Sequence, residues 1–113
     1  MSVEIIRYNI AAGGEAAFEA AYGDAQKHLA ESPVCRSYEL LRCEEEPARY
    51  LLRIEWTSTA DHLGKFRRSA AFGSFLALVR PFIGAVEEMQ HYHPTAVAGR
   101  GGAGCRLVGG HAR

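Results

Sequence analysis

The stretch VCRSYELLRCEEEPARYLLRIEW, residues 34–56, decides the fold. Residues 34–43 and 48–56 are rich in the aliphatic and aromatic side chains that are typical of strands. The segment EEEP, residues 44–47, joins them and has the polarity and the proline of a turn. Two adjacent strands joined by so short a turn are predicted to pair as an antiparallel hairpin.

The pattern of the remaining sequence places this hairpin within a larger order of elements. A strand is predicted at residues 2–10, and apolar groups at helical spacing predict a helix at 15–31, which Pro33 ends. Ser58 and Asp61 resemble a capping box and predict the start of a short helix. An apolar stripe from Phe72 to Ile83 predicts a longer helix, and residues 85–93 predict a fourth strand.

This order, β-α-β-β-α-α-β, predicts an α+β fold of the ferredoxin-like kind, a four-stranded antiparallel sheet with helices on one face. In the third strand neither face is uniformly polar, because Leu51 shares its face with Arg53 and Glu55. An open sheet face with apolar side chains needs a cover. In a chain of one domain, a second copy is the natural cover, so we expect a homodimer.

Composition narrows the class of protein. The chain has 113 residues, a length typical of one domain, which we place at residues 1–97, and 98–113 form a tail rich in glycine and arginine. Basic and acidic residues number 13 each, so no net charge favours a nucleic acid or an anionic membrane. No apolar run is long enough to span a bilayer. Three cysteines, an odd and sparse set, are typical of reduced thiols and predict a cytoplasmic protein.

Three segments carry a resemblance to a known family. They are SYELLRCEEEPARYLLRIEW at 37–56, TSTADHLGKFRRSAAFGSF at 57–75 and HYHP at 91–94. Over about residues 2–97 the chain resembles the antibiotic biosynthesis monooxygenase family of dimeric α+β barrels. The resemblance implies oxidation of a small aromatic or quinol-type compound by dioxygen, with no metal and no cofactor in the protein. Such a site needs an apolar cavity, one base or hydrogen-bond donor, and a group that stabilises an oxyanion.

Three residues are candidates for performing this reaction, one from the resemblance and two from their own positions in the sequence. Trp56 matches a pocket tryptophan of the better-studied oxygenases, and His62 and Arg80 are the candidates for the base or donor and for the anion stabiliser. Each has a structural alternative, namely a core aromatic, a partly exposed helix histidine, and a cation that complements a helix dipole. The expected substrate-binding residues are Phe66, Phe72, Leu52 and His91.

One departure from the family pattern favours a different function. Those oxygenases carry an asparagine four residues before the tryptophan, and here that position is Leu52. The loss of this hydrogen-bond donor favours a small-molecule-binding or stress-associated dimer without catalysis. Haem degradation is not expected, because the positions of its asparagine and its iron-ligating histidine are not matched here.

The pair His91 and His93 has a spacing that metal sites use on strands. Two residues apart on a strand, their Cα atoms would stand about 7 Å apart. A catalytic zinc site wants a third protein ligand, and the sequence offers none at a diagnostic spacing. We therefore expect no metal, and interpret the pair as polar residues at a strand end or a dimer contact, with His91 as a possible part of the pocket.

Arg67, Arg68 and Lys65 are interpreted as a solvated helix end.

Overall fold

The computed structural model of the chain describes residues 1–102. Its strands are β1 (Ser2–Asn9), β2 (Cys35–Arg42), β3 (Arg49–Trp56) and β4 (Val86–Tyr92). The helices are α1 (Glu15–Ala30), α2 (Thr59–Asp61), which continues as a π-helical turn (His62–Phe66), and α3 (Ala70–Val79), which a 3-10 segment (Arg80–Ala85) follows. The predicted order of elements is therefore confirmed, and the predicted bounds agree to within one or two residues for the strands and for α1. No helix in this part of the chain is long and apolar enough to cross a bilayer.

The four strands form one antiparallel sheet in the order β2-β3-β1-β4. The ferredoxin-like α+β architecture predicted from the sequence is thus confirmed. Gly13, with a φ of 89°, makes the turn between β1 and α1 in a conformation that favours glycine. The helix then buries one stripe of side chains at helical spacing against the sheet, namely Phe18, Tyr22, Ala25 and Leu29.

Strand β1 lies in the centre of the sheet and alternates strictly between buried and accessible side chains. Its helix-facing residues are Ser2, Glu4, Ile6 and Tyr8, and each is buried. Three of these positions suit a core face. Glu4 is the exception, because it is 2% exposed and a carboxylate is rarely buried without a partner.

A β-bulge interrupts the pairing of β1 with β4. Tyr8 pairs with Val86, whereas its neighbour Arg7 pairs with Glu88, so Glu87 is an extra residue on β4. Beyond the bulge the register is regular, and Glu4 stands directly opposite His91. Side chains opposite each other on one face of an antiparallel pair have Cβ atoms about 5 Å apart. The bulge therefore precedes the segment of β4 that brings His91 to Glu4.

Candidate functional site

An apolar cavity of about 300 Å³ lies between the helix face of the sheet and the helical layer. This volume falls at the lower end of the range for small-molecule pockets. Its wall carries polar groups at Glu4, His62 and Arg67, and a pair of tyrosines at Tyr8 and Tyr22. The other lining residues are mostly aliphatic and aromatic: Ile6, Leu29, Ile54, Trp56, Phe66, Phe72, Phe75, Leu76, Val79, Ile83, Val86 and Met89.

The π-helical turn positions one wall of this cavity. The Ser58 hydroxyl accepts a hydrogen bond from the Asp61 backbone N–H at 2.9 Å, which confirms the cap predicted at that serine. The chain then widens into a π turn, in which the Arg67 backbone N–H donates to the His62 carbonyl at 3.0 Å. A bond between residues five apart sets their side chains close together, and such turns are frequent at functional sites.

His62 is held in a fixed orientation by stacking. Its ring lies on the Trp56 ring with centroids 4.2 Å apart and planes inclined by 7°. Trp56 is fully buried at the end of β3, and its indole Nε1–H donates to Glu4 Oε1 at 3.0 Å. The tryptophan therefore orients both the imidazole ring and the carboxylate.

The hydrogen bonds of His62 assign its tautomer. Arg67 Nε lies 3.2 Å from His62 Nε2, and a guanidinium can only donate, so Nε2 accepts. The ring proton is then on Nδ1, which donates to His91 Nε2 at 2.8 Å. Glu4 Oε1 lies 3.7 Å from His62 Nε2, beyond hydrogen-bond distance. A chain of contacts thus runs from Arg67 through His62 to His91 at the protein surface.

Burial dominates the electrostatics of this cluster. It raises the pKa of Glu4, and the hydrogen bond from Trp56 and the charges of His91 and Arg67 offset only part of that rise. Burial also lowers the pKa of His62 to about 3, and the charges of Arg67 and His91 lower it further in the same direction. At neutral pH His62 is therefore an uncharged imidazole, and Glu4 is a carboxylate that accepts protons more readily than an exposed one.

A second polar group lies farther along the same face of β1. The hydroxyls of Tyr8 and Tyr22 lie 2.5 Å apart and tie β1 to α1. Burial raises the pKa of both phenols, so both stay protonated. One hydroxyl donates to the other, and the accepting hydroxyl keeps its own hydrogen to donate. Glu4 and Tyr8 are four strand residues apart, which separates their Cα atoms by about 13 Å. The cavity therefore offers a compound hydrogen-bonding groups at two ends and apolar walls between them.

Three side chains of the cluster could also hold a metal ion. One ligand atom each from Glu4, His62 and His91 lies within 4.8 Å of the other two. Two imidazoles and one carboxylate are ligands that zinc and ferrous iron accept in proteins.

The structure brings together some of the residues that the sequence indicated. Trp56, His62, Phe66 and Phe72 line the cavity. His91 does not line the cavity, but it is hydrogen-bonded to His62, which does.

Two other indicated residues lie elsewhere. Leu52 is buried on the helix-facing side of β3 and borders a groove beside α1 instead. Arg80 is exposed at the end of α3, outside the cavity lining.

Sequence reasoning missed Glu4 and Arg67. Glu4 did carry a signal, since an acidic residue stands between Ser2 and Ile6 on the core face of an alternating strand. Arg67 was interpreted as part of a solvated helix end, and no pattern at helical spacing predicts the π turn that carries its side chain back to His62.

Comparison with known proteins agrees with this fold. A protein of Bordetella bronchiseptica, described as a candidate antibiotic biosynthesis monooxygenase, superposes with a TM-score of 0.70 at 29% identity, over 83% of this chain and 96% of its own. Rv0793 of Mycobacterium tuberculosis superposes with a TM-score of 0.67 at 17% identity, over 87% and 98%. The uncharacterised YczJ protein of Bacillus subtilis is 29% identical over 89 residues, 79% of this chain and 94% of its own. The family model for antibiotic biosynthesis monooxygenases matches residues 1–78, and the chain therefore belongs to that family.

Proposed function

We propose that this protein oxidises a small planar aromatic compound of the anthrone or quinol type with dioxygen, without a bound cofactor. The observation that carries the proposal is an apolar cavity of about 300 Å³ whose wall holds a buried carboxylate, a buried imidazole and a half-buried guanidinium. Membership of the antibiotic biosynthesis monooxygenase family supports the same reaction class. The aromatic walls suit a flat substrate, and the tyrosine pair suits an oxygen function at its far end.

The cluster supplies the proton chemistry that such a reaction needs. Glu4 is the stronger proton acceptor of the pair, because burial raises its pKa while that of His62 falls. His62 orients the substrate hydroxyl and, through its hydrogen bond to His91, offers the proton a path towards solvent. Arg67 is a cation at the cavity wall and would stabilise the enolate or phenolate that deprotonation produces.

The substrate itself supplies the electrons. In an anthrone-type compound, deprotonation of the CH₂ group gives a carbanion that transfers an electron to dioxygen. The CH₂ group becomes a carbonyl with one oxygen atom, the second oxygen atom leaves as water, and the four electrons come from the substrate carbon. The protein has to bind, deprotonate and exclude water, and each task falls to a group already in the cavity wall.

Oxygen uptake tests the proposal directly. Purified protein is incubated in air with a panel of anthrones and hydroquinones, and the rate is compared with that of buffer. Glu4→Gln is expected to lower kcat about a hundredfold because it removes the proton acceptor. Arg67→Gln is expected to lower it by a similar factor, since it removes the cation that faces the developing anion.

The chain offers a matched control for the arginine. Arg80→Gln makes the same chemical change at an exposed position outside the cavity and should leave the rate unchanged. Equal losses in the two arginine variants would contradict the role of Arg67. Tight binding of one compound without any oxygen uptake would instead favour a binding protein, the alternative that Leu52 suggests.

A further inference from the structure

We propose that Glu4, His62 and His91 form a binding site for a divalent transition-metal ion of the zinc type. The proposal rests on the placement of three side chains and does not depend on the proposed oxidation. In the sequence, the pair His91 and His93 came with no third ligand at a diagnostic spacing. The fold supplies two from elsewhere, one from the opposite strand and one from the π turn.

The three ligands come from rigid and independent elements. Glu4 and His91 are directly opposed on β1 and β4, so the sheet fixes the distance between their backbones. His62 approaches from the helical layer, and its stacking on Trp56 fixes its ring plane. The facing nitrogens of the two histidines are 2.8 Å apart, and all three ligand atoms fall within 4.8 Å. Zinc ligands at about 2.1 Å from the ion stand roughly 3 to 4 Å apart, so shifts of about 1 Å complete the site.

The surroundings of the ligands match those of known metal sites. Trp56 Nε1–H donates to the Glu4 carboxylate, as groups behind metal ligands commonly do to orient them. His91 also borders a surface depression with Thr59 and His93, which gives an ion a way in from solvent.

The positive charge of Arg67 opposes the binding of a metal ion, and its removal is therefore a test of the site. Its guanidinium donates to His62 Nε2 at 3.2 Å and also contacts Met89 Sδ at 3.7 Å. A metal ion would be repelled by this cation. The side chain is only half-buried, so it can turn away. Replacement of Arg67 by methionine keeps the apolar contacts of the side chain and removes the charge, and should therefore tighten metal binding.

A bound ion would also occupy the lone pairs that the proposed oxidation uses. Zinc has no redox chemistry and would hold the carboxylate of Glu4 and the imidazole of His62. The zinc-loaded protein is therefore expected to lack the oxidase activity of the metal-free protein. Failure of the oxidation leaves the metal site testable, because binding is measured without any substrate.

Calorimetric titration of the full, chelator-treated protein with zinc chloride tests the site. We expect one ion per chain, with Kd in the micromolar range or tighter. His62→Gln and His91→Gln should each raise Kd at least about tenfold, and Arg67→Met should lower it about tenfold. Cobalt(II) as a second probe should give absorption bands of nitrogen and oxygen ligation without a sulfur-to-metal band.

His93→Gln is the matched control, because it removes an exposed histidine two residues from His91 on the same chain segment. Circular dichroism checks that each variant is folded, and Glu4→Gln adds a third ligand variant. The proposal is overturned if zinc shows no saturable binding below about 1 mM. It is equally overturned if binding persists in both His62→Gln and His91→Gln, or if only His93→Gln abolishes it.

Discussion

A fall in pH should lower the free energy of unfolding of this protein, because the imidazole of His62 is buried. The pKa of His62 falls from 6.5 in the unfolded chain to about 3 in the folded protein, chiefly because burial removes the ring from water. Between pH 6.5 and pH 3, His62 is protonated in the unfolded state and neutral in the folded state, so the free energy of unfolding falls as pH falls. Its stabilising contribution is complete above about pH 6.5 and is lost progressively towards pH 3.

The magnitude follows from the same two pKa values. Each pH unit below 6.5 costs about 1.4 kcal/mol, so acidification from pH 6.5 to 5 removes about 2 kcal/mol from this group alone. The full window corresponds to about 5 kcal/mol, comparable with the whole stability of a small domain. Glu4 acts in the opposite direction, because its raised pKa lets the folded state take up a proton first as pH falls. The net loss is therefore smaller than the contribution of His62.

Urea unfolding at pH 7, 6 and 5 with a chelator present measures this dependence. Wild-type protein and His93→Gln should lose stability in parallel, because residue 93 is exposed and is not among the groups bonded to His62. His62→Gln should show a slope flatter by about 2 kcal/mol over the same range, whatever its stability at pH 7. Identical slopes in wild type and His62→Gln would refute the reasoning.

Three further predictions concern other parts of the molecule. Trp56→Phe should cost about 3 kcal/mol in urea unfolding, because it shrinks a fully buried side chain and leaves the Glu4 carboxylate without its donor; a loss below about 1 kcal/mol would contradict that. Burial raises the pKa of the Cys35 thiol to about 11. In a chain with Cys43 and Cys105 changed to serine, the labelling of Cys35 by iodoacetamide should therefore accelerate as pH rises from 8 towards that value. Rapid labelling at pH 7 would contradict the raised pKa. Sedimentation should give twice the chain mass of 12.4 kDa, and Ile5→Lys on the open sheet face should give a monomer; a wild-type monomer would exclude the expected homodimer.

The secondary structure could be predicted well from the sequence, because each helix and strand has a pattern of residues within its own segment that indicates it. The hairpin at 34–56 has two strand-like segments around a polar turn, and α1 has a stripe of apolar residues at helical spacing. Ser58 was predicted to cap α2, and it does so through its hydroxyl. Such signals depend on residues a few positions apart, which is why one sequence suffices to read them.

The candidate site depended on distant residues and could only partly be predicted. The family resemblance indicated Trp56 and Phe72, the inward face predicted for the short helix indicated His62 and Phe66, and the structure places all four at one cavity. Arg80 was the candidate for the anion stabiliser, but it is exposed at the end of α3 and lies outside the cavity lining. Glu4 is brought to His91 by a strand pairing and Arg67 to His62 by a π turn, and the sequence predicts neither the register of that pairing nor that turn.

The bulge at Glu87 decides which half of the residues of β4 faces inwards. In an uninterrupted strand, Val86, Glu88, Gln90 and Tyr92 would all share one face. The extra residue changes this alternation, so Val86 faces the cavity at one end while Met89 and His91 face inwards beyond it. Without that change of phase, two polar side chains would point into the apolar cavity and His91 would point away from Glu4. A single inserted residue is thus the difference between a sheet that merely covers a core and one that brings His91 to Glu4 and His62.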